Sequence, residues 1–60
     1  MILLFPSKEA FVRAPLMLLQ HAHFVAYSVN NGYEVVKNRD GGGNIGFMTV
    51  NEMADKVRLY

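Results

Sequence analysis

Tyr33-Glu34-Val35-Val36-Lys37-Asn38 is a short run of β-formers with a turn signal on each side, Asn30-Asn31-Gly32 before it and Asp40-Gly41-Gly42-Gly43 after it. Aromatic and β-branched residues bounded by Asn and Gly mark a strand entered and left by tight turns. A strand turned at both ends is central to a sheet, so the segments around it must supply its neighbours.

Upstream, residues 16–29 read two ways. As a helix, Leu18, Ala22, Val25 and Val29 form one stripe, widened by Leu19 and Ala26, and Gly32 is the residue that ends it. As a hairpin, the helix stops near His21, residues 23–29 are a strand, and Asn30-Asn31-Gly32 is a three-residue loop with Gly32 left-handed. That pairing puts Val25, Tyr27 and Val29 on one face with Tyr33, Val35 and Lys37. Phe24, Ala26, Ser28, Glu34, Val36 and Asn38 take the other, more polar face. Leu16–Ala22 favours helix by propensity and Phe24–Val29 favours strand, so the hairpin is adopted.

Downstream, residues 39–44 form a flexible tip, and 45–50 return as a strand with Ile45, Phe47 and Thr49 on one face. Gly46 marks a bulge or a close backbone approach. Thr49-Val50-Asn51-Glu52 is a capping box that opens a last helix, with Val50, Met53, Ala54, Val57 and Tyr60 on its apolar side. At the other end, Ile2-Leu3-Leu4-Phe5 is apolar throughout, which predicts a strand buried on both faces. Pro6 ends it, Ser7 is an N-cap, and Glu9 lies in the first turn of a helix whose apolar face is Ala10, Phe11 and Ala14. Pro15 either opens a second helix at its first position or bends a single one. The whole is an α+β single domain over residues 1–60. A small, mostly antiparallel sheet has strands near 2–5, 23–29, 33–38 and 45–50, with a helix near 7–21 packed on it. A C-terminal helix over 50–59, marginal in isolation, docks its apolar side on the sheet.

Sixty residues bury little, and a core of this size supplies only about 3–5 kcal/mol. No cysteine is present, which excludes disulfides and thiolate zinc sites. Yet 52% of the residues are apolar, more than so small an interior can hold. The surplus predicts a covered surface, against a protein partner or a second copy of the chain, with a homodimer expected. If 16–29 is helical, its outward face carries Leu16, Met17, Gln20, Phe24 and Tyr27, which are the expected partner-binding residues. Net charge is +1, far from the strongly basic balance of a dedicated nucleic-acid binder. The alternative surface for nucleic acid is Lys37 and Arg39 beside the glycine tip with Lys56 and Arg58 on the last helix. No signal peptide or membrane span is read, and a soluble, cytoplasmic chain is expected.

No catalytic or cofactor motif stands out, and the expectation is a protein that is not an enzyme and uses no cofactor or metal. Gly41-Gly42-Gly43 lacks the Lys-Ser/Thr of a phosphate loop. His21 and His23 fall on opposite sides of a helix, or on one face of a strand without a third ligand. Ser28, a histidine and Asp40 lack the strained turn that exposes a nucleophile.

Two stretches resemble known families. Asn31-Gly32-Tyr33-Glu34-Val35-Val36, after a Leu-rich helical segment and before a glycine turn and a further strand, is similar to the HicA-type ribonuclease toxins. The likeness implies a double-stranded-RNA-binding-like fold and action on RNA. That family's catalytic histidine lies on the strand after the motif, and no histidine follows His23, so the activity does not carry over. Phe47-Met48-Thr49-Val50-Asn51-Glu52-Met53-Ala54 resembles the start of an excisionase or MerR-type helix-turn-helix, but no recognition helix follows it in the sequence. The function expected from the residues is a small non-enzymatic regulator or inhibitor, of the kind phages and mobile elements encode. A nucleic-acid binder or a HicA-like RNA-acting protein, the latter using His21 or His23, is the alternative.

Overall fold

A two-residue turn, Asn30-Asn31, joins the central pair of strands and sets the rest of the sheet. The computed structural model describes residues 1–39 and 46–58. Its elements in order are β1 (Ile2–Phe5), α1 (Lys8–Val12), α2 (Leu16–His21), β2 (Phe24–Val29), β3 (Gly32–Asn38), β4 (Phe47–Thr49) and α3 (Val50–Arg58). The four strands form one mixed sheet in the order β1-β2-β3-β4. β1 runs parallel to β2, and β2, β3 and β4 are antiparallel in succession. The expected α+β class holds, and Phe24–Val29 is strand rather than helix.

The hairpin register differs from the sequence reading by one residue, with large consequences. Val29 pairs with Gly32, so Gly32 begins β3 instead of closing the loop, and it is not left-handed. A Cβ at Gly32 would run into the Phe47 ring at 2.6 Å and into the Met48 carbonyl, so close approach of β4 is what requires glycine there. Shortening the loop by one residue turns the start of β3 over, because side chains alternate along a strand. Tyr33 now lies opposite Ser28 and Val35 opposite Ala26, while Glu34 joins Tyr27. A bulge follows: the partner of Val25 is Lys37 while that of Ala26 is Val35, leaving Val36 as the extra residue. Lys37 and Asn38 thereby return to the partners expected for them, Val25 and Phe24.

Each sheet face has its own helical cover. Phe24, Ala26 and Val35 share one face and pack with Met53 of α3, with Ile2, Tyr33 and Met48 around them. The face expected to be more polar is therefore the main core. On the other face Phe11 of α1 stacks on Tyr27 (ring centroids 5.4 Å apart) and meets Phe5 edge-on at 5.9 Å. Such aromatic pairs add about 0.5–1.5 kcal/mol beyond the area they bury. Because successive strand residues point to opposite faces, α1 and α3 lie on opposite sides of the sheet. The C-terminal helix docks on the sheet through Met53, as expected.

The local signals account for the helix ends. Ser7 Oγ accepts the Ala10 N–H at 3.1 Å and starts α1. Pro15 is extended (φ −62°, ψ 134°) and its carbonyl accepts from the Leu18 and Leu19 amides, so it caps α2 one position ahead of the place expected for it. α2 ends on a cation: Lys37 Nζ donates to the Leu19 and Gln20 carbonyls at 3.2 and 2.9 Å, tying that terminus to β3.

The capping box forms reciprocally. The Thr49 N–H donates to Glu52 Oε1 at 2.9 Å, and the Glu52 N–H donates to Thr49 Oγ1 at 3.2 Å. Thr49→Ala removes one half of it, at about 1 kcal/mol. A melting midpoint lower by about 4–8 °C is the outcome expected from circular dichroism.

Three smaller expectations are corrected. β1 is an edge strand, half-buried with Leu4 exposed, not a strand covered on both faces. Val50 opens α3 and is exposed instead of facing the core. Gly46 is not at a close approach to any described residue, since a Cβ there would meet none of their atoms within 4 Å; its carbonyl accepts the Val35 N–H at 2.9 Å. The glycine tip, Asp40, Ile45, Tyr60 and the Val57 side chain lie outside the described residues. Among those described, no helix is long and apolar enough to cross a membrane.

Candidate interaction surface

α2 explains where the apolar surplus goes. Leu16, Met17, Leu18 and Leu19 are consecutive, so they point all around the helix and cannot share one inward side. None of its six residues is buried. Leu16 and Met17, in its first turn, are 68% and 70% exposed. Val12, the last residue of α1, is exposed to a similar degree, at 66%. Only Arg13, Ala14 and Pro15 separate Val12 from Leu16, so these three exposed side chains are close in the chain and make up an apolar ridge in sequence.

Polar groups flank it. Lys8, Glu9 and Arg13 line an open cleft of about 250 Å³ together with Val12. Gln20 is exposed farther along α2. An apolar centre with a mixed-charge rim is the usual make-up of a protein contact surface.

Of the five residues expected at the contact surface, Leu16, Met17 and Gln20 are exposed. Phe24 is not: it is 3% exposed in the core, because Phe24–Val29 is a strand and α3 covers this face. Tyr27 is not either, since its ring is half-buried against Phe11. Val12 was missed, although its position was legible. It directly follows Phe11, about 100° round the helix from the inward face.

Lys37 and Lys56, both expected on a nucleic-acid surface, lie on opposite faces of the sheet. Lys37 shares a face with Val25 and is engaged with the α2 carbonyls. Lys56 is on the opposite face, its Nζ 5.6 Å from the centre of the Phe24 ring. Arg39 is exposed, and the Arg58 side chain lies outside the described residues. His21 and His23 are both exposed, and His23 Nδ1 accepts from the Met1 amino group at 2.9 Å. Among the described residues no three His, Cys, Asp or Glu side chains gather to hold a metal. Ser28 pairs with Tyr33 across the hairpin, with no histidine opposite it.

Comparison with protein-family models, with curated proteins and with solved structures finds no match for the chain.

Proposed function

We propose that this protein is a non-enzymatic interaction module that binds a protein partner through Val12, Leu16 and Met17, with Lys8, Glu9, Arg13 and Gln20 on the rim. The observation that carries this reading is the exposure of Leu16 and Met17 on a helix that buries none of its own residues. Side chains of this size leave water with a gain of about 1.5–3 kcal/mol each when fully buried. A monomer gives that up here, and a partner with an apolar groove recovers it. Occupying a partner's surface is the action of a regulator or inhibitor. The basic residues support no second reading equally well, with Lys37 and Lys56 on opposite faces.

A photo-cross-linking amino acid at position 17, compared with one at the exposed Asn51 of α3, tests the assignment in the native host. One discrete protein adduct from position 17 and none from position 51 is expected. The same adducts from both positions, or none from position 17, would overturn it.

A further inference from the structure

We infer that β1 is the seam of a symmetric homodimer, in which Ile2 and Leu4 pair with Leu4 and Ile2 of a second copy to join two sheets into one. The seam and the ridge share no residue, so this inference does not rest on the function proposed above.

The backbone directions come from the sheet itself. The Met1 carbonyl accepts the His23 and Phe24 amides, so Met1 turns its polar groups toward β2. The Val35 amide is turned toward Gly46, away from β2, so its partner Ala26 turns its own groups toward β1, as Phe24 does. Strand residues alternate. Leu3 and Phe5 therefore bond to β2, and Ile2 and Leu4 point their N–H and C=O groups outward. The sheet order ends at β1, with no further strand beside it among the described residues.

The two sheet edges differ in protection. β4 is only three residues long, a common way to blunt an edge. β1 has no Lys, no Pro and no charge, and its register with β2 runs without a bulge. An unguarded apolar edge of this kind pairs with another strand.

Symmetry makes a second copy the occupant. A two-fold axis through Leu3, normal to the sheet, sets Ile2 opposite Leu4 of the second copy and Leu3 opposite Leu3. All the outward groups of Ile2 and Leu4 are then satisfied, with four hydrogen bonds across the seam. Opposed residues share a face, so the exposed Leu4 side chain lands beside Ile2 of the second copy, next to the core that α3 covers. No like charges meet, because the strand has none. Moving the axis to Leu4 would set Ile2 against Pro6, which has no N–H to give. A seam this short belongs with small, weak interfaces, so the dimer dissociates on dilution through the micromolar range.

Amide exchange and sedimentation of the full chain, from about 5 to about 500 μM, test it together. The Ile2 and Leu4 amides are expected to gain at least about tenfold protection at the high end, alongside a dimer, while Leu3 and Phe5 are protected throughout. Leu4→Lys, at an exposed position, is expected to remain folded and monomeric. Methylation of the Leu4 amide in a synthetic chain, which keeps the side chain, should do the same. A Leu16→Gln/Met17→Gln chain should still dimerise. A monomer at every concentration overturns the seam, as does a dimer abolished by the ridge substitutions but not by Leu4→Lys.

Discussion

Phe24→Ala is expected to leave the chain largely unfolded at room temperature. The Phe24 ring sits against Ala26, Val35 and Met53 and has Lys56 above it. Its removal opens a void where sheet and α3 meet, and truncations of this type cost about 3–5 kcal/mol. A domain of this size has only about that much stability. The ring therefore decides whether the molecule folds. Circular dichroism against urea should show no folded baseline for the variant. Were Phe24 a surface contact residue, the variant would keep the parent's midpoint, and the core described above would be wrong.

Gly32→Ala is the second large effect, and its cause is backbone crowding. The added methyl meets the Phe47 ring and the Met48 carbonyl of β4. A ring can rotate away, but a carbonyl held in a strand cannot move without its strand. Overpacking of this kind costs about 1–3 kcal/mol, and the immovable partner points to the upper half. A drop of about 8–20 °C in the melting midpoint follows. Because β4 runs directly into α3, the loss should be shared by both elements, seen as faster amide exchange at Met48 and Met53. Gly46→Ala is the control. It has open space around the new methyl, so it should be neutral or slightly stabilising. Equal damage from the two substitutions would mean that glycine is needed for its backbone freedom and not for the approach of β4.

The elements were legible where the chain is punctuated by residues with one strong local preference. Pro6-Ser7 ends β1 and caps α1, Pro15 separates the two short helices, and Thr49 with Glu52 starts α3. The pairing of those elements was less legible. Whether Asn30-Asn31 or Asn30-Asn31-Gly32 forms the turn is a difference of one residue, and it turned Tyr33 and Val35 to the opposite face. The bulge at Val36 then restored Lys37, which no periodicity announces. Phe24 and Tyr27 were placed on the contact surface because residues 16–29 satisfy a helical stripe as well as a strand alternation. Leu16 and Met17 were legible under either reading, since a short helix with four consecutive large apolar residues cannot hide them all. β1 carried a misleading signal: an uninterrupted apolar strand reads as a buried one, and here it is an edge.

The most direct test of the ridge as a binding surface is the affinity of the purified cross-linked partner for the parent chain and for Leu16→Gln/Met17→Gln. Central contact residues contribute about 2 kcal/mol or more each, so affinity for the double variant should fall about 1,000-fold. The unfolding midpoint should move little, as exposed positions shift stability by about 0.5 kcal/mol or less. An affinity equal to the parent's in a folded variant would contradict the assignment.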